Sequence, residues 1–236
     1  TLASPNVSIG FVVSEESAEV RAALGRFPVA RPVAADTLAD EDLGGFAALW
    51  WHAAKAVPLL DCPDVRKKVL SYLERGGGLL LSLLACPLLH TLGIESRPFD
   101  EVYSGSWEQD ERFNWKWDFV RNKGFQCAFD HPLFQGMDSC VYTWQSAPGK
   151  HYYRAGYTGH YPSQGSVVAV RKSFIHIDHS VPEILEYRWG QGRILAISSF
   201  LFFADDTGPR YPDLIRFTEN ALSYAADGAP ERQVRY

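Results

Sequence analysis

The sequence predicts an α/β fold with a mostly parallel central sheet, helices on both faces and an aromatic-rich insertion. Strand-like apolar runs alternate with amphipathic helical segments up to residue 94, and this β-α-β-α order favours a parallel sheet. The 236 residues are 46% hydrophobic and 22% charged, a composition typical of a globular domain with a full core. We therefore expect one domain over residues 1–228, followed by a short tail over 229–236.

Short apolar runs and one capped segment define the first elements. Strands are predicted at residues 7–13, more weakly at 29–33, and at 44–51. Between the first two, residues 14–25 predict a helix, with Ser14 as its N-cap and Gly25 at its end.

The next segment gives the strongest helical pattern. In "DCPDVRKKVLSYLERGGG" (61–78), Pro63 suits a first turn and Gly76 a helix end, and apolar residues recur at helical spacing. Residues 77–84 then predict a central strand, and "CPLLHTLG" (86–93) predicts a short helix.

Residues 95–165 are polar, aromatic and rich in Gly and Pro, without a clean period, which predicts an insertion or lid. Strand character returns after it, with a hairpin turn at Gly190 to Gly192. Residues 211–225 predict a final amphipathic helix. We expect a sheet of five or six strands, with a few antiparallel strands added from the C-terminal half.

Bulk properties argue against several classes of partner. The net charge of -5 gives no basic footprint for nucleic acid or an acidic membrane surface, and no apolar stretch has the roughly 20 residues that span a bilayer. The four cysteines form no CxxC pair, so a structural zinc site is not predicted. No cofactor is expected. Cys127 and Cys140 could form a disulfide in an exported protein, or stay buried free thiols.

Five short segments carry a resemblance to a known family. They are "ALWWHA" (48–53), "VLSYLERGGGLLLSLLACPLLHTLGI" (69–94), "HPLFQGM" (131–137), "WGQGRILAISSF" (189–200) and "ENALSYA" (219–225). Together they resemble the class I glutamine amidotransferase-like superfamily, which implies a flavodoxin-like sheet. Within it, the chain is most similar to trehalose-utilisation (ThuA-like) proteins and related domains of carbohydrate-active proteins. Where ThuA-like proteins carry Trp-Trp-Gly-His, this chain has Trp50-Trp51-His52.

The same resemblance argues against amidotransferase chemistry. In the true amidotransferases, a cysteine lies on a Gly-flanked elbow, and a later His-x-Glu pair activates it. Here the elbow position falls at Ser82 between leucines, and the late segment "ISSFLFFADD" has no histidine. Because a strained elbow needs small neighbours and a nucleophile needs a base, we do not expect glutamine hydrolysis.

Candidate site residues follow the predicted strands, because ligands of open α/β sheets bind at the carboxyl edge. We expect His52 in a solvent-accessible depression there, either as an acid/base or sugar-binding group, or as a buried histidine satisfied by the backbone. Cys86 has either a pKa lowered by a helix start or a packed, inert thiol. The predicted ligand-binding residues are Glu15, Trp51, Ser82, Cys86, Trp115, Trp117 and Asp205.

Two further clusters have competing interpretations. His176, Asp178 and His179 lie within four residues and could hold a metal, but strand alternation separates them and favours a solvated strand end. The aromatic residues of the insertion suit sugar stacking, a protein interface or a small satellite core. They are Trp107, Trp115, Trp117, Trp144, Tyr152, Tyr153, Tyr157 and Tyr161.

The resemblance implies a non-amidotransferase domain that acts in carbohydrate metabolism as an accessory or sugar-binding module. Its partners would be a carbohydrate or sugar derivative and a homo-oligomer or fused catalytic domain. One alternative is a ThuA-like enzyme that acts on a sugar derivative with His52 as acid/base. Another is an oligomerisation module of a glycoside-processing enzyme, which predicts no small-molecule pocket at the strand ends.

Overall fold

The computed structural model describes residues 8–57, 62–106, 121–147, 149–204 and 210–227. The strands are β1 (Ile9–Val13), β2 (Ala30–Ala34), β3 (Ala48–Ala53), β4 (Gly78–Leu83), β5 (Glu101–Ser106), β6 (Asn122–Cys127), β7 (Cys140–Gln145), β8 (His151–Gly156), β9 (Ser166–Ser173), β10 (His176–Trp189) and β11 (Gly192–Ile197). The helices are α1 (Ala18–Arg26), α2 (Pro63–Glu74), α3 (Leu88–Thr91) and α4 (Tyr211–Ala226). None of the helices in these ranges combines the length and hydropathy needed to cross a membrane.

Nine strands form one mixed sheet in the order β2-β1-β3-β4-β11-β10-β9-β6-β7. The first five run parallel to their neighbours, and the last four continue the sheet antiparallel. β5 and β8 form a separate two-stranded antiparallel ribbon. The predicted α/β fold, with a parallel sheet to which antiparallel strands are added, is therefore confirmed. The flavodoxin-like assignment stays a prediction.

The five parallel strands and the antiparallel β9 and β10 of the C-terminal half agree with the prediction, but the sheet has two further antiparallel strands, β6 and β7, which come from residues 95–165. The sequences of β6 and β7 show no clean alternation of apolar and polar residues, because the pairing register of the two strands shifts between Lys123 and Gly124. Such a shift marks a bulge, which breaks the alternation that sequence patterns detect. The segment therefore extends the main sheet as well as forming the ribbon. The domain boundaries themselves stay a prediction.

Alternate residues of the central strands enter two hydrophobic clusters. Trp50 of β3 packs in the cluster that includes the buried residues of α1 and α4. Its neighbours Leu49 and Trp51 pack in the other cluster, with the buried residues of α2 and α3. The apolar face predicted for the last helix is confirmed, because its members are all buried: Leu214, Phe217, Ala221, Leu222 and Ala225.

The N-cap of α1 is Ser17, so the prediction of Ser14 was wrong. Ser17 Oγ accepts a hydrogen bond from the backbone N–H of Val20 at 3.1 Å, whereas Ser14 Oγ accepts one from Trp51 Nε1 at 3.2 Å. Both serines suit a cap by composition, and only the tertiary contact with Trp51 distinguishes them. The helix also continues through the predicted stop at Gly25 to Arg26.

The hairpin predicted near residue 190 is confirmed, and it joins β10 to β11 with Trp189 opposite Gly192. Gly190 has φ +56 in its turn, and a Cβ there would lie 2.6 Å from the Cα of Glu74. Both the left-handed backbone and the close approach to α2 require glycine. This tight turn fixes the register that brings Glu183, just before Ile184, to the carboxyl end of β11.

Candidate functional site

A chain of polar side chains lies at the carboxyl ends of β3 and β4. His52 and Ser82 are register partners on these strands, and His52 Nδ1 lies 2.8 Å from Ser82 Oγ. The other ring nitrogen, Nε2, lies 3.2 Å from Glu19 Oε1 on α1. His52 and Ser82 have no exposed surface, and Glu19 is 4% exposed. The strands and α1 thus form a buried Ser-His-Glu chain.

The hydrogen-bond donors around His52 fit one neutral tautomer of its imidazole ring. Trp50 Nε1 donates to Ser82 Oγ at 2.9 Å, so the Ser82 hydroxyl proton is available to His52 Nδ1. His52 Nε2–H then donates to Glu19. The only other acceptor near the hydroxyl, the carbonyl of Trp51, is at 3.5 Å among the described residues. Each ring nitrogen is therefore committed to a protein partner.

The segment after β11 covers His52. Both Phe203 and Ala204 donate their backbone N–H groups to the Glu19 carboxylate, and the Phe203 ring meets the imidazole edge-on with centroids 5.4 Å apart. The expectation of a solvent-accessible depression at His52 is therefore wrong. An enclosed imidazole with both nitrogens bonded cannot take a proton from a dissolved sugar in this conformation. Catalysis by His52 stays a prediction, and the geometry favours a structural role.

β4 ends in a strained elbow, one residue later than the sequence suggested. Leu83, rather than Ser82, has a left-handed backbone, with φ +57. A strained residue between a strand and a helix is the backbone geometry of a nucleophile elbow. Here its side chain is a fully buried leucine, which has no nucleophilic atom.

Cys86 is a packed thiol, so the interpretation of a lowered pKa is wrong. Its side chain is fully buried, and its Sγ lies 3.7 Å from the carbonyl of Leu81. Burial, followed by the negative charge of Glu183, raises the pKa of the Cys86 thiol. Cys127 and Cys140 are free thiols in the structure, as is Cys62.

The other predicted ligand residues divide into three groups. Trp51 is almost fully buried and bonded to Ser14, and its remaining surface lines a cavity beside α2. Glu15 is half-buried, and its Oε1 accepts the backbone N–H of Ala54 at 2.7 Å. Trp115, Trp117 and Asp205 lie outside the described residues, as does Trp107 of the aromatic insertion.

Several aromatic residues of the insertion form the satellite core that the sequence allowed. Trp144 and Tyr152 are buried and stack 5.9 Å apart, and both rings contact Phe200 and Phe202. These contacts seal the carboxyl end of β11 with aromatic rings. Tyr161, in contrast, is 53% exposed.

A second polar cluster, which sequence analysis missed, joins the ribbon to the main sheet. Arg154 of β8 and Glu183 of β10 are both fully buried and pair at 3.3 Å. Arg171 of β9 pairs with the same Glu183 oxygen at 2.7 Å, and Ser199 Oγ donates to the other oxygen at 2.9 Å. Arg154 also pairs with Glu101 of β5. We call Glu101, Arg154, Arg171 and Glu183 the ribbon ion cluster.

The members of this cluster stabilise each other's charges. Burial, the largest single influence, would lower the pKa of Arg171, but the charge and hydrogen bond of Glu183, together with Tyr152 and Glu101, outweigh it and raise that pKa. Tyr152, which accepts from Arg171 at 3.1 Å, has its pKa raised by burial. No motif signals the cluster, because its members lie far apart in the sequence; a glutamate within the apolar strand "PEILEY" is the one anomaly.

Glu95 fixes the two ends of the insertion to each other. Its buried carboxylate accepts backbone N–H groups of Arg97, Ser163 and Gln164, and the Tyr187 hydroxyl. Burial alone would raise the pKa of Glu95, but these hydrogen bonds outweigh it, and the pKa is lowered from its ordinary value. The ionised carboxylate therefore holds the base of the ribbon region in place.

The metal interpretation of the His176 segment has no support in the geometry. Asp178 accepts hydrogen bonds from the backbone and hydroxyl of Ser180, and both His176 and His179 are exposed. Within the described ranges, no three His, Cys, Asp or Glu side chains are grouped so that they could hold a metal ion. A solvated strand end accounts for this segment.

Comparisons with solved structures show the fold of this chain. β-Galactosidase from Bacillus circulans matches with a TM-score of 0.54 and 11% identity, over 95% of this chain and 32% of that chain. A protein assigned as a GMP synthase component from Thermoplasma acidophilum matches with a TM-score of 0.51 and 11% identity, over 94% of each chain. A ThuA-like protein from Bacteroides uniformis matches with a TM-score of 0.50 and 10% identity, over 94% of this chain and 92% of that chain.

The chain therefore shares its α/β fold with these proteins. No protein-family model and no curated protein sequence matches it. The chain spans about a third of the β-galactosidase that it resembles. At these identities the likeness concerns the fold alone, and function has to be argued from the residues.

Proposed function

We propose that this chain is a non-amidotransferase domain of the amidotransferase-like fold, which acts in carbohydrate metabolism as an accessory or sugar-binding module. The observation that carries the proposal is Leu83. It occupies the strained strand-to-helix position with a buried aliphatic side chain, and the nearest hydroxyl, Ser82, is enclosed and fully bonded. Nucleophilic catalysis at an elbow needs an exposed, activated atom.

Two features support the carbohydrate part of the proposal. The fold recurs in a β-galactosidase, where the matching region is about a third of a longer chain, as expected of a module beside a catalytic domain. The chain also exposes aromatic and charged side chains on the ribbon, among them Tyr103 and Glu101. Such groups suit sugar rings and hydroxyls.

An assembly module is the second candidate, and a different surface favours it. Ile175 and Ile177, around the turn between β9 and β10, are 77% and 38% exposed. Exposed aliphatic side chains that are close together at one hairpin favour a contact surface when they belong to one apolar patch. This candidate predicts a homo-oligomer or binding to a catalytic domain without sugar affinity.

Two measurements on the purified chain test the proposal, and light scattering tests the alternative of an assembly module. Incubation with glutamine should release no ammonia above the buffer blank, and titration with neutral sugars by calorimetry or NMR should show saturable binding without turnover. Ammonia release abolished by Ser82→Ala or Cys86→Ala would contradict the proposal. Conversion of a bound sugar, lost in His52→Ala, would favour the ThuA-like enzyme. Oligomerisation without sugar binding, measured by light scattering, would favour the assembly module.

A further inference from the structure

We propose that the outer side of the ribbon ion cluster is a subsite for a neutral sugar, in which the Tyr103 ring stacks on the pyranose while Glu101 and Arg171 bind its hydroxyls. The inference rests on the proposed sugar-binding function and names the site where it occurs. It differs from the strand-end site predicted from the sequence, whose polar atoms are enclosed.

The ribbon places these side chains on one face. Tyr103 is the register partner of Arg154, and residues directly opposite each other in an antiparallel pair share a face, as do residues two apart on one strand. Glu101 and Tyr103 of β5 therefore lie on the same side as Tyr152 and Arg154 of β8. The Tyr103 and Tyr152 rings confirm this placement, with centroids 5.8 Å apart.

Each side-chain nitrogen of Arg154, in the inner half of the cluster, has a protein partner. Arg154 donates to Glu183, Glu101, Thr158 and the carbonyl of Tyr157. Such complete pairing holds the buried charges rigidly, because an unsatisfied buried ion would be costly. The cluster therefore supplies a fixed framework for whatever atoms remain at its outer side.

The outer half keeps hydrogen-bonding capacity. The Glu101 side chain is 41% exposed, and Arg154 and Thr158 both donate to its Oε2. Arg171 is 24% exposed, and its Nε and Nη2 are the atoms used toward Glu183 and Tyr152. Within the described part of the chain, Glu101 Oε1 and Arg171 Nη1 have no protein partner. One acceptor and one donor thus remain for a ligand.

The charge of the cluster selects the class of ligand. Its two guanidinium groups and two carboxylates balance, so these four side chains by themselves give neither an anion nor a cation a net attraction. A polyhydroxylated neutral molecule can donate to Glu101 and accept from Arg171, in charge-assisted hydrogen bonds. Tyr103, with 40% of its surface exposed, adds an apolar ring face for the C–H side of a sugar.

Binding of methyl β-galactoside to the purified chain tests this subsite, with methyl β-glucoside as a second neutral probe and galacturonate as an anionic one. Tyr103→Ala should weaken binding of the galactoside about tenfold, corresponding to about 1.4 kcal/mol, whereas Tyr103→Phe should retain it. Glu101→Gln, which keeps an oxygen for Arg154, should weaken binding several-fold. Tyr161→Ala is the matched control, since Tyr161 is an exposed tyrosine outside the cluster. Melting curves of each variant separate loss of binding from loss of fold.

The outcomes distinguish this subsite from the function it rests on. If the wild-type chain binds neutral sugars and neither Tyr103→Ala nor Glu101→Gln weakens that binding, the subsite is wrong and the sugar-binding function stands. If the chain binds none of the sugars, both are overturned. Tighter binding of galacturonate than of the galactoside would overturn the argument for a neutral ligand.

Discussion

The strand-end chain of Ser82, His52 and Glu19 and the ribbon ion cluster both bury polar groups, but they differ in how the groups are closed off. In the strand-end chain, backbone N–H groups of Phe203 and Ala204 and the Trp50 indole complete the hydrogen bonds. In the ribbon ion cluster, the inner side is complete and the outer side faces solvent through Glu101. Burial of polar residues alone therefore does not mark a binding site. The more useful sign is a buried, fully hydrogen-bonded cluster that has at least one solvent-exposed member.

The difference follows from where each cluster lies. The strand-end chain is under α1 and the segment after β11, which are parts of the compact α/β half. The ribbon lies across the end of β11, where Ala155 donates its backbone N–H to the carbonyl of Ser198 at 3.1 Å. The ribbon stays partly open at its outer strand, because Val102 and Tyr103 of β5 are 55% and 40% exposed, whereas Arg154 and Ala155 of β8 are fully buried. The ribbon is therefore a better place for a binding function than the closed strand ends.

The largest effect should come from the centre of the ribbon ion cluster. Glu183→Gln removes the carboxylate that both Arg154 and Arg171 share, and removal of one partner from a buried ionic group typically costs about 3–5 kcal/mol. We expect a loss of that order in the free energy of unfolding, measured by urea denaturation.

Asp213→Asn is the matched control for this variant. Asp213 pairs with Arg210 at 3.8 Å on the surface, where such pairs contribute about 0–1 kcal/mol. A similar small loss for both variants would show that the ribbon ion cluster is solvated and does not fix the ribbon on the sheet.

His52→Ala should have the next largest effect, of about 2–4 kcal/mol on unfolding. The substitution leaves a cavity and removes a hydrogen-bond partner from two buried groups, Ser82 and Glu19. The control is His179→Ala, since His179 is exposed, and its loss should change stability by less than about 0.5 kcal/mol. A His52→Ala protein of unchanged stability that no longer binds sugar would restore the acid/base or sugar-contact role predicted from the sequence.

The local sequence pattern predicted most helices and strands of the parallel α/β part of the fold, because these elements depend on residues that are close together in the sequence. Apolar runs, Pro63 at the start of α2 and Gly190 in its hairpin all act within a few residues. The pattern failed at β6 and β7, where a register shift at Lys123 disrupts the alternation. It also chose the wrong serine for the cap of α1, because Trp51, the partner of Ser14, lies 37 residues away.

The candidate site was less predictable, because its closure depends on distant parts of the chain. His52 was placed correctly at the end of its strand, but Glu19 and Phe203, which enclose it, contact each other across 184 residues. The ribbon ion cluster likewise joins Glu101 and Arg154 across 53 residues. Sequence periodicity describes a face of one element and carries no information on which remote segment covers it.

The smallest expected effect tests the elbow at Leu83 by comparing two substitutions at one position. Leu83→Ala and Leu83→Gly both remove a buried side chain, and they differ in whether a Cβ remains on a backbone with φ +57. A left-handed conformation costs a residue with a Cβ about 1–2 kcal/mol, and glycine avoids that cost. We therefore expect Leu83→Gly to be the more stable of the two by about 1 kcal/mol.

The same pair at Leu81, an ordinary buried residue of β4, is the control, and there glycine should be less stable than alanine by about 0.5–1 kcal/mol. Urea denaturation of the four variants measures both differences. If glycine is the less stable residue at both positions, the backbone at Leu83 is not strained, and the elbow no longer links this chain to the geometry of a nucleophile site.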